Sequence, residues 1–196
     1  IEVRRVRVTN RSRQRREIEV TSYAEVVLAP PAADALHPAF SNLFVHTEIL
    51  RERRAILCTR RPRSRDEQSP WMLHLVAVHG VEPGEASYET DRLRFLGRTR
   101  STAAPLAMRE CAPLAGSEGS VLDPIVAIRH LVALDPEQVV TIDIVSGVAE
   151  TRDLAVSLVE KYQDRHLADR VFDLAWTHSQ VVLQQLNATE AESQLY

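Results

Sequence analysis

The sequence predicts a mainly β protein, an antiparallel β-sandwich followed by C-terminal helices. Between Ile1 and Val148 short segments alternate apolar and polar residues with the period of two typical of half-buried strands. Turn residues separate these segments, and no βαβ rhythm interrupts them. After Gly147 the apolar spacing changes to three and four, which is typical of helices. A chain of 196 residues, 44% of them hydrophobic, is long enough for one sizeable core.

The first two predicted strands form a hairpin in this interpretation. Ile1 to Thr9 is the first strand, and its alternation slips between Val3 and Val6, which predicts a bulge. Turn chemistry after Thr9 then predicts pairing with the strand that begins at Glu17. The residues of this second strand that face the core are Ile18, Val20, Ala24 and Val26.

A proline pair ends the second strand. Pro30 and Pro31 remove two backbone donors and forbid continued ladder pairing. The segment from Ala32 to Asn42 is predicted to be an ordered excursion, because it carries apolar side chains and little Gly or Ser. The apolar residues within the segment are Leu36 and Phe40, and Leu43 follows directly after it.

The middle of the chain predicts three further features. Leu43 to Leu50 and Arg54 to Thr59 form a second hairpin. The near-continuous apolar run from Trp71 to His79 predicts a central strand covered on both faces, with His74 as a hydrogen-bonded core residue rather than a metal ligand. Tyr88 to Leu96 is a weaker strand, and Gly97 to Ser120 is a long surface connection.

The last strands and the helices follow. Ile125 to Leu134 and Val139 to Val148 are predicted to pair as a long antiparallel hairpin across Asp135-Pro136-Glu137. Thr151 and Asp164 are predicted to cap two helices. A capping box at the end is predicted from Thr189 and Glu192, with a break near Asn187.

Composition argues against several functional classes. The net charge of -3 disfavours a generic polyanion binder. Seven arginines within the first sixteen residues raise a nucleic-acid hypothesis, which is disfavoured because no aromatic residue is interleaved with them. Cys58 and Cys111 match no metal or redox spacing, so a reduced cytosolic environment is favoured over a disulfide between them. No nucleophile motif and no metal site are predicted.

Two groups of residues invite a carbohydrate interpretation. Acidic pairs for glycoside chemistry can be drawn from Glu89, Asp91, Asp123 and Asp143, although turn and strand-edge roles are favoured. Four aromatic residues, Trp71, Tyr23, Tyr88 and Phe40, can stack on sugar rings, although core packing is favoured because aromatics make up only 5% of the chain. The residues alone therefore predict a sandwich without a visible active site.

A family resemblance adds function. The segments EVTSYAEVVLAPPAADALHPAFSNLFVHTE, AILCTRRPR, ETDRLRFLGR, VLDPIVAIRH, GVAETRD and LAWTHSQVVLQQLNATEAESQLY occur in order along the chain. Together they resemble the N-terminal part of glycoside-hydrolase family 94, formerly glycosyltransferase family 36, as found in the phosphorylase-like region of cyclic β-1,2-glucan synthases. The resemblance covers essentially the whole sequence.

The resemblance implies a domain plan and a parent activity. It implies a supersandwich-type domain over residues 1–148 and a helical linker over residues 149–196, leading to an (α/α)6 barrel outside this sequence. The parent is implied to be a glycosyltransferase or inverting β-glucan phosphorylase. The resemblance also implies that inorganic phosphate is its co-substrate and that no metal or other cofactor is needed. The catalytic aspartate is expected in the barrel, so no catalytic residue is expected here, and this fragment alone is expected to be inactive.

Partners and location follow from the same resemblance. The expected partners are β-glucan, the barrel domain and a second copy in a homodimer, without nucleic acid and without membrane contact by this segment. The expected location is cytoplasmic, in a parent anchored in the bacterial inner membrane. An excised N-terminus is also expected, because the chain starts at Ile1 without a signal peptide.

The site prediction rests on the proline-bounded segment. If that segment serves a neighbouring barrel, His37, Phe40 and Asn42 are candidates to line a cleft or an interface. The alternative is that Phe40 plugs one end of the sandwich while His37 and Asn42 hold the loop by hydrogen bonds. For the chain as a whole, a non-catalytic structural role is favoured, and an autonomous glycan-binding module is the alternative.

Overall fold

Two antiparallel sheets form the body of the protein in a computed structural model that describes residues 1–62, 64, 67–109 and 112–194. Within these residues there are nine strands and six α-helices. The strands are β1 Glu2–Thr9, β2 Arg16–Thr21, β3 Ala24–Glu25, β4 Val45–Leu50, β5 Ala55–Arg60, β6 Trp71–His79, β7 Ala86–Asp91, β8 Pro124–Leu134 and β9 Val139–Ala149. The helices are α1 Pro31–Leu36, α2 Pro38–Asn42, α3 Arg92–Leu96, α4 Arg152–Tyr162, α5 Arg165–Gln185 and α6 Glu190–Ser193.

The larger sheet has the order β1-β9-β6-β5-β4. In the smaller sheet β8 is central, with β2 and β3 along one edge and β7 along the other. One core of buried side chains lies between the two sheets, and both sheets contribute to it. From the larger sheet come Val45, Ile49, Ile56, Cys58, Val76, Val140 and Ile142; from the smaller come Tyr88, Val126, Ile128, Val132 and Leu134. The predicted antiparallel sandwich with C-terminal helices is confirmed.

The first and last predicted hairpins are wrong, and for the same reason. β1 pairs with β9 in the larger sheet, whereas β2 pairs with β8 in the smaller one. β8 and β9 therefore face each other across the core instead of lying side by side. Alternation shows which face of a strand is buried. It does not show which strand lies beside it, because the backbone donors and acceptors are the same for any neighbour.

The predicted bulge in the first strand is also wrong. The ladder between β1 and β9 runs from Glu2 opposite Ser146 to Thr9 opposite Val139 without a register shift. The alternation slips because both faces of this strand are used. Val3 packs on the outer face of the larger sheet, and Val8 packs into the core between the sheets.

The predicted central strand is confirmed, and a helix covers its outer face. β6 lies between β5 and β9, and its residues from Leu73 to Ala77 are buried. α4 packs Ala155 and Val159 onto that outer face. The other members of this outer core include Ala55, Leu57, Leu73, Leu75, Ala77, Val145 and Ala149. The predicted β4–β5 hairpin is also confirmed.

The predicted strand from Tyr88 to Leu96 ends earlier than expected. β7 stops at Asp91, whose carboxylate accepts hydrogen bonds from the backbone N–H groups of Leu93 and Arg94. This N-cap starts α3, which buries Phe95 and Leu96 beside Ile125. Asp91 is therefore the N-cap of a helix, although the alternating pattern around it predicted a continuing strand.

The long connection before β8 joins the edges of both sheets. Gly116 donates its N–H to the carbonyl of Tyr88 in β7, and Gly119 exchanges two backbone hydrogen bonds with Thr47 in β4. Between them the Glu118 carboxylate accepts the N–H of Ile49 at 2.9 Å. We call residues 116–119 the edge seam. Because it uses backbone groups that an edge strand would otherwise leave unpaired, it closes one side of the sandwich.

Two compact units make up the chain, Ile1–Gln163 and Asp164–Tyr196. The first includes α4, because the buried residues of this helix belong to the outer core of the larger sheet. The predicted boundary after residue 148 lies one residue before the end of β9. As a domain boundary it stays a prediction. The three predicted caps are confirmed at Thr151, Asp164 and Thr189, the last as a full capping box. None of the helices in the described part combines the length and hydropathy needed to span a bilayer.

The predicted core role of His74 is confirmed. Its Nε2 lies 2.8 Å from the Ser22 hydroxyl oxygen and its Nδ1 lies 2.9 Å from that of Ser146, so the ring links the two sheets. Burial lowers the pKa of His74 to about 4, which keeps the ring neutral. Cys58 is a free buried thiol whose pKa burial raises to about 12. Cys111 lies outside the described residues, so the prediction that it forms no disulfide with Cys58 stays a prediction.

Candidate functional site

The proline-bounded segment forms two short helices. Pro31 and Pro38 occupy first-turn positions, where a missing N–H costs nothing because no partner exists there. His37 separates the helices with a non-helical backbone, φ −149° and ψ 71°, since a following proline disfavours the helical region. The predicted ordered excursion is therefore confirmed, with helical rather than loop structure.

Polar contacts fix this segment to the body of the sandwich. The Asn42 amide donates to Asp123 Oδ1 at 3.0 Å. Arg60 Nη1 donates to both the carbonyl and the hydroxyl oxygen of Ser41, each at 3.0 Å, and all of these groups are buried. The Arg60 guanidinium also lies 5.3 Å from the centre of the Phe44 ring. These contacts hold the segment in one position relative to β4 and β5.

Large apolar side chains of the segment remain exposed. Phe40 contacts Phe44 edge to face, with ring centres 5.2 Å apart, yet 56% of Phe40 is accessible to solvent. Leu36 and Leu43 are 73% and 49% exposed. We call Leu36, Phe40 and Leu43 the apolar surface. Such side chains on an anchored segment are typical of a contact region.

A cleft of about 320 Å³ lies beside the two-helix segment. Its lining combines an aromatic ring, Trp71, with three groups that can hydrogen-bond, His46, Arg60 and Arg61. The volume is at the lower end of the ~300–1,000 Å³ range of small-molecule sites. The sequence prediction named Trp71 but missed the other three, whose only signal was their position at the ends of paired strands.

The three candidate residues occupy different environments. Phe40 is on the apolar surface, and Asn42 is a structural anchor through Asp123. The His37 side chain is exposed and makes no hydrogen bond or ion pair within the described residues. None of the three is among the residues that line the cleft, where their neighbours Leu43 and Phe44 are found.

The four aromatic residues considered for sugar stacking do not come together as one platform. Tyr88 is only 5% exposed, and Tyr23 packs on Phe95 with ring centres 5.1 Å apart. Trp71 and Phe40 remain partly accessible, the first in the cleft and the second on the apolar surface.

The acidic residues considered for glycoside chemistry have local structural partners. Asp143 is fully buried and accepts two hydrogen bonds from Arg5, at 2.6 and 2.8 Å. Glu89 Oε1 accepts the backbone N–H groups of Thr90 and Asp91. Asp91 caps α3 and Asp123 holds Asn42. In the described residues no three His, Cys, Asp or Glu side chains are grouped to hold a metal ion.

Comparison with known families now gives the context of this fold. Residues 1–165 match the family "Glycosyl hydrolase 94, supersandwich domain". The chain belongs to this family. The matched range covers both sheets and α4, which are the elements of the first compact unit. The resemblance deduced from the sequence segments is confirmed.

A curated relative narrows the context of this supersandwich domain. The chain is 36% identical over 192 residues to the cyclic beta-(1,2)-glucan synthase NdvB of Rhizobium meliloti (strain 1021). The alignment covers 98% of this chain but 7% of the relative. The similarity therefore concerns a small part of a much longer glucan synthase.

Proposed function

We propose that this supersandwich domain is a non-catalytic part of an enzyme that makes or processes β-1,2-glucan. In this proposal the two-helix segment, which consists of α1 and α2, contacts another domain of the parent. That domain is the barrel that the family resemblance implies. The observation that carries the proposal is the apolar surface on an anchored segment, where Leu36, Phe40 and Leu43 are 73%, 56% and 49% exposed. An anchored apolar surface loses little conformational freedom on docking, which favours association.

The reaction of the parent is also part of the proposal. Glucan transfer, or phosphorolysis with inorganic phosphate, takes place in a domain outside this chain, and no metal is used. The parent is anchored in the inner membrane with this domain on the cytoplasmic side, and it can associate as a homodimer. The support is the membership of the supersandwich family and the similarity to a cyclic beta-(1,2)-glucan synthase.

Phe40→Ser in the full-length parent tests the contact. We expect the isolated 196-residue chain to keep its melting temperature within about 2 °C, because Phe40 is mostly exposed. Glucan synthesis or phosphorolysis per folded parent molecule should fall several-fold, because a docking contact is lost. Val6→Ser, at a 43% exposed residue of the edge strand β1, is the matched control.

Substitutions of His37 and Asn42 separate a structural role within the segment from a role in contacting the neighbouring domain. Asn42→Ala should lower the stability of the isolated chain by about 1 kcal/mol, since it removes the hydrogen bond to Asp123. His37→Ala should leave stability unchanged and reduce parent activity if His37 meets the neighbouring domain. Unchanged activity with both Phe40→Ser and His37→Ala would contradict the contact, and phosphorolysis by the isolated chain would contradict the non-catalytic role.

A further inference from the structure

A groove at the tip of the β4–β5 hairpin lies apart from the two-helix segment. We call it the tip groove. Arg51 and Arg54 line it, whereas Val45 and Arg60, at the other end of the same two strands, line the cleft described above. Its volume is about 720 Å³, well within the ~300–1,000 Å³ of small-molecule sites.

The charges along the tip groove nearly cancel. Arg51, Arg54 and Arg129 supply guanidinium groups, while Glu19 and Glu85 supply carboxylates. A polyanion would meet both carboxylates, which disfavours it. A neutral polyol gains from the same lining, because its hydroxyl groups both donate to carboxylates and accept from guanidinium groups.

One wall of the tip groove is fixed. The Arg129 side chain is 4% exposed and donates to the carbonyl oxygens of Ala107 and Ala112 and to the Thr21 hydroxyl, at 2.6 to 3.0 Å. These donors are therefore used within the protein, and the buried Arg129 side chain holds this wall of the tip groove in place. Such pre-organisation reduces the entropy lost on binding.

Arg54 also lines the tip groove, and it has an uncommon backbone conformation. Arg54 follows the turn at the hairpin tip with φ 49° and ψ 44°, in the left-handed region that non-glycine residues seldom adopt. Its side chain is exposed and makes no hydrogen bond or ion pair within the part of the chain that the structure describes. It is therefore available to a ligand, unlike Arg51, which pairs with Glu118 at 3.3 Å.

The rest of the lining is aliphatic or small. Leu114, Leu131, Pro113 and Ala86 provide C–H surface, and Ser87 adds a hydroxyl. Tyr88 borders the tip groove but is 5% exposed, so its ring face is not offered for stacking. A ligand with apolar C–H faces and many hydroxyls fits these groups, at modest affinity because aromatic stacking is missing.

We propose that the tip groove binds a short segment of neutral β-linked glucan. This inference rests on the proposed glucan-processing parent for the choice of sugar. The hydroxyls of the glucan contact Arg54 and the two carboxylates, while its C–H faces lie against Leu131 and Leu114. The tip groove would hold a glucan chain at a site within this chain, without any bond being made or broken.

The test is an amide chemical-shift titration of the isolated 196-residue chain with linear β-1,2-gluco-oligosaccharides up to about 10 mM, a range that detects millimolar affinity. We expect saturating shifts at Arg51, Ser87 and Leu131. Arg54→Asn should weaken binding about tenfold, the loss expected when a charged hydrogen-bond partner is removed. Asn tolerates the left-handed backbone, so the fold is retained. Arg11→Asn, an exposed residue away from the tip groove, should leave the affinity unchanged.

Three results would overturn the inference. One is the absence of shifts at the tip groove at the highest oligosaccharide concentration. Another is equal or stronger shifts with sodium sulfate, which would make it an anion site. The third is unchanged affinity of Arg54→Asn. None of these results bears on Phe40→Ser in the full-length parent, so failure of the tip groove and failure of the proposed contact surface are distinguishable.

Discussion

Two buried histidines lie between the sheets in different hydrogen-bonding environments. His74 is held by Ser22 and Ser146. His130 is fully buried on β8, and neither of its ring nitrogens has a hydrogen-bond partner among the described residues. Burial, with Arg54 nearby, lowers the pKa of His130 to about 4. Both rings are therefore neutral in the folded protein at pH 7.

This makes folding stability depend on pH. In the unfolded chain His74 and His130 take up protons near pH 6.5, whereas in the folded chain they do so only near pH 4. Stability should therefore be fully present above about pH 6.5 and be lost as the pH falls toward 4, by at most about 3 kcal/mol for each histidine.

His130→Leu tests this dependence. Leucine fills similar space without a titratable group, so the loss of urea stability between pH 7.5 and 5 should be smaller than in the wild type. At pH 7.5 the change should be within about 1.5 kcal/mol, as for other volume-conserving substitutions in a core. His166→Leu, at an exposed residue of α5, is the control. Equal pH dependence in His130→Leu and wild type would refute the assignment.

The edge seam joins the two sheets, although the sequence of this segment predicts only a surface connection. Residues 97–120 have no periodicity, and the sequence predicts only a surface connection. In the structure Thr90 Oγ1 donates to the carbonyl of Ser117, and its hydroxyl lies 2.7 Å from that of Thr47. The seam therefore ties β7 of one sheet to β4 of the other. Gly119 has φ 96°, a conformation that L side chains rarely adopt, so this position favours glycine.

Glu118→Ala should weaken this seam. The substitution removes the acceptor for the Ile49 N–H and the ion pair with Arg51, so stability should fall by about 1–2 kcal/mol. Limited proteolysis should then cut within residues 97–120 faster than in the wild type. Glu52→Ala, at an exposed residue of the adjacent turn, controls for loss of charge. Unchanged proteolysis would show that the seam does not depend on Glu118.

At the scale of the whole chain, α4 belongs to the sandwich that precedes it. It covers the outer face of the larger sheet, where Leu57, Leu73 and Leu75 are fully buried. A chain ending at Gln163 should therefore unfold cooperatively with a melting temperature within about 5 °C of the full chain.

A chain ending at Glu150 is the matched comparison. It exposes that outer face, so it should melt at a clearly lower temperature or aggregate. Thermal unfolding followed by circular dichroism measures both chains. Equal stability of the two truncated chains would show that α4 is dispensable, and the compact unit would then end with β9.

Local chemistry made much of this structure predictable. The caps at Thr151, Asp164 and Thr189, the proline-bounded segment and the buried face of each strand depend on residues within a few positions of one another. The family was also recognisable, because ordered segments over the whole chain carry it. For the candidate site, the sequence pointed to Phe40 and Trp71, which are partly accessible, but not to Arg60 or Arg61.

By itself the sequence determined most of the strands, the starts of α4, α5 and α6, the two-layer architecture and the family. Only the tertiary structure decided that β1 pairs with β9 and β2 with β8, that Glu118 joins the two sheets, and that Arg54 and Arg129 line one groove. The physical reason is that capping and alternation are local interactions, whereas strand pairing and grooves depend on contacts between residues distant in sequence. Those contacts are selected by the packing of both sheets together, and no short pattern records them.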